Sequence, residues 1–417
     1  MVTKKDKNIF TVFEHQAVWT DRGDNKLTPK ELKALQNFYK EKDFPYYTLI
    51  YNGVRFCEYV GVIQVGNLKI EVLPKADNNG EDHWRNLLIN MLKAVGLFKV
   101  NAPTNSNLGL KSNSILDLYF ELFVKETEAL LQKGLIKKYR KNESNITSLK
   151  GNIHFAKQIS KNLVHKELFY TKHSVYDREH PLNCVLYKTI CLLSKINTNQ
   201  YLQSKICNQM LNFPELPNIK TDENFFNKIE YNRKTEPHKN AIEIAKLILL
   251  NYHPDVNRGS NDVLALMFDM NSLWEKFVFI SLKKNQPIDF QIRPQAHKYF
   301  WQKDEGRAKK MIPDIVIEKA NNEIVVLDTK WKNIGTSNPS DADLRQMYAY
   351  SKYHGNAKTA LVYPGLKHQF INGLFFNEDE NNLQAKNACG ILTIETEKNV
   401  KDWQALIANN IFGLVCN

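Results

Sequence analysis

The segment Pro313–Lys330 has the sequence PDIVIEKANNEIVVLDTK. Its two apolar runs are short and rich in β-branched residues, and a polar turn with two asparagines separates them. This pattern predicts a β-hairpin. In an antiparallel pair, the start of one strand lies beside the end of its partner. The hairpin therefore brings Asp314, at the start of one strand, near Asp328 and Lys330, at the end of the other.

The charges at this edge of the hairpin suggest a metal site. Asp328 and Lys330 are two residues apart, so their side chains share one face of the strand. Carboxylate oxygens are the ligands that Mg²⁺ prefers, and a lysine can hold or polarise a water beside the metal. Taken singly, Asp314 also fits a strand-end residue, and Asp328 with Lys330 fits a surface ion pair of little energetic value.

The segments on either side of the hairpin extend the pattern. Residues 263–280 are apolar and predict a helix, within which Glu275 lies among apolar neighbours. Residues 343–353 predict a second helix, in which Gln346 and Tyr350 are four residues apart and share a face. A short apolar run after this helix predicts a further strand.

This order of helix, hairpin, helix and strand resembles the PD-(D/E)xK nucleases, with Pro313-Asp314 and Asp328-Thr329-Lys330 as the signature. The resemblance implies a divalent metal, Mg²⁺ or alternatively Mn²⁺, held by Asp314 and Asp328, with Glu275 and the carbonyl of Thr329 as further ligands. It implies that Lys330 orients or deprotonates the attacking water. Gln346 and Tyr350 match the Gln-x-x-x-Tyr element of RecB-like members and would position DNA or Lys330.

Composition and charge agree with a nucleic-acid partner. The 417 residues have 43% hydrophobic and 24% charged content, which is typical of a globular protein. The formal net charge of +12 fits attraction to phosphates, or equally a lysine-rich solvated surface. The basic residues near the hairpin that could hold phosphates are Arg293, Lys298, Arg307, Lys309 and Lys310.

The sequence before the nuclease-like segment divides into two parts. Residues 1–80 have strand-like alternation, with turn signals at Asn52-Gly53 and Gly66-Asn67 and one helix near 28–39, and they predict a β-rich module. Residues 81–260 predict a mostly helical region with a polar, projecting finger at 100–114. We expect a multidomain α+β protein whose third part, 261–417, is a restriction-endonuclease-like α/β domain.

The resemblance extends to the McrC family of modification-dependent restriction systems and covers most of the chain. It is carried by the segments Gly61–Gly66, Leu68–Lys75, Leu149–Ile153, Tyr176-Asp177 and Leu182-Asn183, and by the hairpin block with Gln346-Met347-Tyr348-Ala349-Tyr350 and Leu361–Pro364. It implies a Mg²⁺-dependent endonuclease that cuts modified double-stranded DNA in the prokaryotic cytoplasm as part of phage defence.

The McrC resemblance also implies a partner, an McrB-like AAA+ GTPase hexamer whose turnover the McrC subunit stimulates. The sequence has no G-x-x-x-x-G-K-[ST] segment, which agrees with a separate motor subunit. In the family, the region corresponding to the finger enters the motor ring. The residues that we expect to meet the partner are Asn105, Lys111, Asn113 and Asp117.

Two other functions fit the same residues. One is a stand-alone DNA repair or junction nuclease with the same fold. The other is a non-catalytic, DNA-bound activator of an AAA+ ATPase in which the nuclease site has decayed. The six cysteines form no C-x-x-C pair, so reduced thiols are expected. No apolar run is long enough to predict a membrane span.

Overall fold

The computed structural model describes residues 9–41, 46–74, 80–96, 115–253, 262–304, 306–321, 323–332, 334, 338–376, 383–397 and 399–416. They form a mixed α+β protein with two compact units. The first unit draws on Met1–Gln64, Leu68–Lys99 and Met267–Asn417, and the second on Val65–Asn67 and Val100–Leu266. No helix in these ranges is both long and apolar enough to span a membrane.

Helices and strands are numbered separately, each in chain order. The helices are α1 (Pro29–Glu41), α2 (Glu81–Ala94), α3 (Ile115–Lys133), α4 (Phe155–Asn162), α5 (Pro181–Ile196), α6 (Gln200–Asn212), α7 (Glu223–Asn227), α8 (Lys239–Leu250), α9 (Met270–Lys284), α10 (Asp341–Tyr353) and α11 (Val400–Cys416), with a 3-10 turn at Glu236–His238. The strands are β1 (Ile9–Phe13), β2 (Ala17–Trp19), β3 (Tyr47–Ile50), β4 (Gly53–Phe56), β5 (Tyr59–Val65), β6 (Leu68–Leu73), β7 (Lys138–Ile146), β8 (Asn152–Ile153), β9 (Phe169–Asp177), β10 (Tyr252–His253), β11 (Val263–Asp269), β12 (Phe290–Pro294), β13 (Lys298–Trp301), β14 (Lys309–Met311), β15 (Ile315–Lys319), β16 (Ile324–Thr329), β17 (Lys358–Gly365), β18 (Gln369–Phe376) and β19 (Leu383–Glu395).

The predicted hairpin is confirmed as β15 and β16, which pair antiparallel with Ile315 opposite Leu327. It lies inside a sheet with the strand order β12-β15-β16-β17-β19-β18. β16, β17 and β19 run parallel, whereas β12, β15 and β18 are antiparallel to their neighbours. Since β16 is interior to this sheet, Val325, Val326 and Leu327 are buried and its register is well determined.

The predicted helix over 263–280 is wrong in its first part. Residues 263–269 form β11, and α9 begins at Met270. A short continuous apolar run suits a buried strand as well as a helix, so periodicity alone does not separate the two. The boundary is instead marked by Asp269, whose side chain accepts a hydrogen bond of 3.0 Å from the backbone N–H of Ser272 and caps α9.

The predicted elements in residues 1–80 are largely confirmed. The predicted helix near 28–39 is α1, and its first turn is a capping box. Thr28 Oγ1 accepts from Glu31 N at 3.3 Å, and Glu31 Oε2 accepts from Thr28 N at 2.7 Å. The sequence did not indicate that β1 pairs parallel with β6, because that pairing joins strands far apart in the chain.

The compact units differ from the three predicted segments. Residues of the predicted N-terminal module and helix α2 belong to the same unit as 267–417. Four tryptophans explain this grouping: Trp331 meets Trp84 at 6.3 Å and Trp274 at 5.6 Å between ring centroids, and Trp274 stacks on Trp403 at 5.5 Å. Burying such large rings supplies much of the apolar area of a core.

The second unit contains the helices α3, α5, α6 and α8 and the small sheet β7-β9-β8. The basic run at 137–141 lies mainly in β7, where half-buried and exposed positions alternate. Of the segment Leu149–Ile153, only Asn152–Ile153 forms a strand, β8. The predicted finger at 100–114 lies outside the described residues.

The tryptophan cluster makes a testable contribution to stability. Trp84 is fully buried, so we expect Trp84→Ala to lower the free energy of unfolding by roughly 3–5 kcal/mol, the usual cost of removing a buried aromatic ring. Urea unfolding monitored by tryptophan fluorescence measures this. Tyr51→Ala, at a side chain 86% exposed, is the matched control and should change stability little. Equal effects of the two substitutions would contradict the proposed core.

Candidate active site

The two aspartates of the hairpin meet at one edge of the sheet. Asp328 is the penultimate residue of β16 and only 1% exposed, while Asp314 immediately precedes β15. Val316 and Val326 belong to the apolar cluster that includes Met347 of α10. Because side chains alternate along a strand, Asp314 and Asp328 project to this same face, toward α10. The sequence had predicted this shared edge but not the burial.

Asp314 is held by the strand opposite. Its Oδ2 atom accepts two hydrogen bonds from Thr329, one from the backbone N–H at 2.6 Å and one from the hydroxyl at 2.8 Å. Hydrogen bonds to a carboxylate are stronger than those between neutral groups. Thr329 therefore fixes the side chain of Asp314 across the hairpin, a role that the sequence prediction did not give to its hydroxyl.

Lys330 lies between two acidic groups. Its Nζ atom is 2.7 Å from Asp328 Oδ2 and 3.9 Å from Asp343 Oδ1. The other carboxylate oxygen of Asp343 is 2.5 Å from Lys332 Nζ. Negative and positive side chains therefore alternate from the buried strand end outward, in the order Asp328, Lys330, Asp343 and Lys332. Within this row, the ammonium of Lys330 is within ion-pair distance of both Asp328 and Asp343.

The pKa values of the site reflect burial and like-charge repulsion. Burial, and then the negative charge of Asp314, raise the pKa of Asp328 to about 6, although Lys330 opposes the shift. Burial and Asp314 also raise the pKa of Glu275. Burial alone would lower the pKa of Lys330, but its contact with Asp328 outweighs this and the pKa is raised. The negative charge of Asp314, Asp328 and Glu275 therefore exceeds the single positive charge of Lys330.

Glu275 is connected to the aspartates through one glutamine. Glu275 Oε1 accepts from Gln295 Nε2 at 3.1 Å, and the backbone N–H of Gln295 donates to the carbonyl of Asp314 at 2.9 Å. Gln295 has a positive φ of 48°, an uncommon conformation for a residue with a side chain. The predicted third acid thus lies on α9 beside the hairpin, with Gln295 between it and the backbone of Asp314.

Gln346 and Tyr350 form a hydrogen-bonded pair that supports the hairpin. Gln346 Nε2 donates to the hydroxyl of Tyr350 at 2.7 Å, and that hydroxyl donates to the carbonyl of Ile312 at 2.9 Å. Tyr350 is buried, and burial is the main cause that raises its pKa to about 12. The pair therefore anchors the backbone two residues before Asp314, a contact that side-chain spacing on a helix does not reveal.

The predicted phosphate-holding residues have different surroundings. Arg293 forms an ion pair with Glu318, so its charge is already balanced. Lys298 Nζ donates to the carbonyl of Tyr353 at 2.7 Å. Three residues are exposed on the adjacent hairpin of β13 and β14, and these are Arg307, Lys309 and Lys310. All five predicted phosphate-holding residues are exposed, but Arg293 is paired with a carboxylate and Lys298 is bonded to a backbone carbonyl, so the group on the β13–β14 hairpin is more available to a ligand.

Three residues near the site were missed by the sequence reasoning: Gln295, Lys332 and Asp343. Asp343 had a recognisable signal, because it lies in the first turn of α10 after the N-cap Ser340, whose hydroxyl accepts from Asp343 N at 3.2 Å. Acidic residues are favoured in that position of any helix, so the signal did not distinguish a site residue from a helix-start residue.

Of the residues expected to meet a partner, Asn105, Lys111 and Asn113 lie outside the described residues. Asp117 is described and lies in α3 of the second unit. It is only 3% exposed, and its Oδ2 atom accepts from Asn199 Nδ2 at 3.3 Å. This burial argues against direct contact between Asp117 and another chain.

The donor atoms at the hairpin edge fit a hard divalent cation. In the described part of the chain, no group of three or more His, Cys, Asp and Glu side chains is already arranged to hold a metal ion. Mg²⁺, however, is commonly bound by one or two carboxylates, with waters and substrate phosphates completing the shell. Asp314 and Asp328 supply that minimum, and a cation would offset both the burial and the repulsion from Asp314 that raise the pKa of Asp328.

Comparisons with known proteins agree with one another. The family model described as McrBC 5-methylcytosine restriction system component matches residues 54–364. A chain of the refined half-complex from a tetradecameric assembly of Thermococcus gammatolerans McrB AAA+ hexamers with bound McrC is similar in fold, with a TM-score of 0.72 and 21% identity, covering 97% of this chain and 100% of that one. A chain of the Thermococcus gammatolerans McrBC complex gives 0.51 and 19%, covering 67% and 88%. No curated protein sequence matches this chain.

The burial of Asp328 predicts a pH-dependent stability in the absence of metal. Its pKa is raised on folding, so the folded state binds more protons and loses stability as pH rises from about 4 to about 6. Asp328→Asn removes this cost, and we expect the variant to be more stable than the wild type at pH 7 by roughly 1–3 kcal/mol and nearly equal at pH 4. Thermal unfolding at both pH values measures the difference.

A metal titration completes this experiment. Mg²⁺ or Mn²⁺ should raise the unfolding temperature of the wild type at neutral pH but not that of Asp328→Asn, because a ligand stabilises only the state that binds it. Asp304→Asn, at an exposed aspartate, is the matched control and should behave as the wild type. A stability difference that does not change with pH would contradict the assignment to Asp328.

The tyrosine anchor predicts a local effect on the backbone before Asp314. Tyr350→Phe keeps the buried ring but removes the hydroxyl that bonds Ile312, so we expect a loss of about 1 kcal/mol in unfolding free energy. Hydrogen exchange of peptides that cover 311–316 should become faster. Tyr353→Phe removes a longer, exposed bond of 3.3 Å to Phe300 and is the control. Unchanged exchange in Tyr350→Phe would refute the anchor.

Proposed function

The chain belongs to the family of McrBC 5-methylcytosine restriction system components, and we propose that it is the DNA-cleaving subunit of such a system. The observation that carries the proposal is the meeting of Asp314, Asp328 and Lys330 at one edge of the sheet. The 2.7 Å contact between Lys330 and Asp328 and the two bonds from Thr329 to Asp314 keep all three groups in place.

We assign the six-stranded sheet and its helices to the PD-(D/E)xK nuclease fold. Support comes from the hairpin, from the position of Asp328 and Lys330 at the end of an interior strand, and from Glu275 on the preceding helix α9. Gln346 and Tyr350 on the following helix add the supporting pair. The substrate in this proposal is double-stranded DNA that carries a modified base.

Asp314 and Asp328 would hold a Mg²⁺ or Mn²⁺ ion, with Glu275 and the carbonyl of Thr329 as additional oxygen donors. When bound, the ion supplies positive charge against the charge that develops on the scissile phosphate, and it makes a coordinated water more acidic. Thr329 keeps Asp314 oriented, and Gln346 with Tyr350 keeps the backbone before Asp314 in place.

Lys330 would orient the attacking water. Its raised pKa keeps the ammonium protonated while Asp328 is charged and unliganded, so in that state it donates hydrogen bonds rather than accepting a proton. Once the charge of Asp328 is shared with a cation, the reason for the raised pKa weakens. Asp343, 3.9 Å away, then remains as the carboxylate that holds Lys330 toward the substrate.

We also propose an AAA+ GTPase of the McrB type as the partner. The similar solved chains come from assemblies of McrB AAA+ hexamers with McrC, and this sequence contains no phosphate-binding G-x-x-x-x-G-K-[ST] segment of its own. The fold similarity covers 97% of this chain, so most of residues 1–80 has a counterpart in that protein. This coverage favours a multi-subunit system over a stand-alone repair or junction nuclease.

The proposal predicts a separation of cleavage from partner stimulation. Asp314→Ala, Asp328→Ala and Lys330→Ala should each reduce cleavage of modified duplex DNA by at least about 100-fold, since each removes a group that acts on the metal or the water. The same variants should stimulate GTP hydrolysis by the partner as the wild type does, because none of them alters the second unit. Both rates are measured with the assembled complex and Mg²⁺.

The matched control is Lys319→Ala, at a lysine of the same hairpin that lies at the opposite end of β15. It should retain cleavage and stimulation. Wild-type cleavage by Asp328→Ala would disprove the assigned site. Loss of GTPase stimulation in all three site variants would instead indicate that the hairpin edge has a structural role in the complex.

A further inference from the structure

A second, smaller hairpin, formed by β13 and β14, is continuous with the backbone of the candidate site. β13 and β14 pair antiparallel, with Lys298 opposite Met311. Gln295 is three residues before Lys298, and Asp314 is three residues after Met311. The backbone hydrogen bond of 2.9 Å joins these two residues. The β13–β14 hairpin is therefore a direct extension of the backbone that positions Asp314.

Two aromatic side chains of this hairpin are exposed to solvent instead of being buried in the core. Tyr299 is 61% exposed and Trp301 is 55% exposed. The register shifts between them, so that Phe300 is an extra residue in a β-bulge, a device that redirects side chains. Single exposed apolar residues are normal, but a contiguous exposed patch of aromatic residues is typical of a binding site.

The strand that carries the rings is held by α10. Phe300 contacts Tyr353 edge-on at 6.5 Å between centroids, and the Tyr353 hydroxyl donates to the carbonyl of Phe300 at 3.3 Å. Lys298 Nζ donates to the carbonyl of Tyr353 at 2.7 Å. These contacts orient the bulged strand, so Tyr299 and Trp301 are presented to solvent from an anchored strand.

The charges of the β13–β14 hairpin indicate which class of partner could bind it. Residues 298–310 contain five lysines and arginines against two acidic residues. Lys310 lies 5.4 Å from the centroid of the Tyr299 ring, and Lys309 is opposite Trp301. Exposed rings alternating with lysines suit a nucleic acid, whose bases stack on the rings while its phosphates bind the cations. An acidic protein surface would use the lysines but would leave the rings without flat partners.

The β13–β14 hairpin is close enough to Asp314 along the chain to contact DNA that is bound at the candidate site. Lys309 precedes Asp314 by five residues, which at about 3.3 Å per residue spans at most ~17 Å. A DNA strand advances about 3.4 Å per nucleotide, so Lys309, which is paired with Trp301, lies within roughly five nucleotides of a phosphate at Asp314.

We propose that Tyr299 and Trp301 form a stacking platform for unstacked DNA bases within a few nucleotides of the cleaved phosphate, with Lys309 and Lys310 on the flanking phosphates. The proposal rests on the proposed nuclease function and adds a substrate preference to it. DNA whose base stacking is locally open, at a bulge or an opened step, binds better than continuous duplex, because its bases reach the rings without an unstacking cost.

Binding in metal-free buffer tests this without cleavage. The probes are a duplex and the same duplex with a short unpaired bulge that contains 2-aminopurine, whose fluorescence falls when it stacks on an aromatic ring. We expect the full-length wild type to bind the bulged probe at least about fivefold more tightly, the lower end of the contribution of one stacked base. Binding should also quench the 2-aminopurine signal.

Variants assign the effect to the rings. Trp301→Ala and Tyr299→Ala should lose most of the preference and the quenching, while Trp301→Phe should retain them because it keeps a ring. Lys309→Ala and Lys310→Ala should weaken binding of both probes alike and reduce the salt slope by about one each. Tyr51→Ala, at an exposed ring between β3 and β4, is the control and should behave as the wild type.

Two results would overturn the platform. One is equal affinity of the wild type for the two probes. The other is an unchanged preference in the Tyr299→Ala/Trp301→Ala double variant, which would place the bases elsewhere or assign the hairpin to a protein partner. Failure of the nuclease proposal is recognised separately, as absence of cleavage with Mg²⁺ by a protein that still shows ring-dependent binding of bulged DNA.

Discussion

Repulsion between the carboxylates of Asp314 and Asp328 is the constraint on which the surrounding structure depends. Two strands of an interior hairpin end at the same edge, and each brings an acidic group. The protein accommodates them with specific partners, as Thr329 donates twice to Asp314 and Lys330 contacts Asp328. Even so, burial and repulsion raise the pKa of Asp328 to about 6. Carboxylates with such perturbed pKa values occur often at functional sites, which agrees with the proposed cation site.

The apolar core beside this edge explains why the charges stay in position. Trp331 follows Lys330 directly, and its indole N–H donates to Glu14 at 2.9 Å while its backbone N–H donates to Asn271 at 3.1 Å. Its ring packs among the other buried tryptophans. The end of β16 is thus restrained by a large buried ring on one side of Lys330 and by the strand itself on the other. Preorganisation of this kind is what a metal-dependent site requires.

Basic residues near the site divide into those with structural partners and those available to a ligand. Arg293 is paired with Glu318, and Lys298 is bonded to a backbone carbonyl. Lys309 and Lys310 are exposed on the β13–β14 hairpin, where they accompany exposed aromatic rings. The positive charge that faces outward near the site is therefore concentrated on an extension of it. This distribution, rather than the net charge of +12, is the relevant electrostatic argument for DNA binding.

Sequence patterns alone predicted the hairpin, the shared face of Asp328 and Lys330 and the shared helix face of Gln346 and Tyr350. These are local features, set by side-chain alternation in strands and by the four-residue spacing in helices. The family was indicated separately, by the resemblance of its motifs. The strand β11 was mistaken for helix, since a short apolar run has no decisive period. The folded chain was needed to establish that Asp343 faces Lys330, that Gln295 links Glu275 to Asp314, and that Trp84 packs against Trp331. Each of these contacts joins residues separated along the chain, and local pattern carries no information about which distant segments pack together.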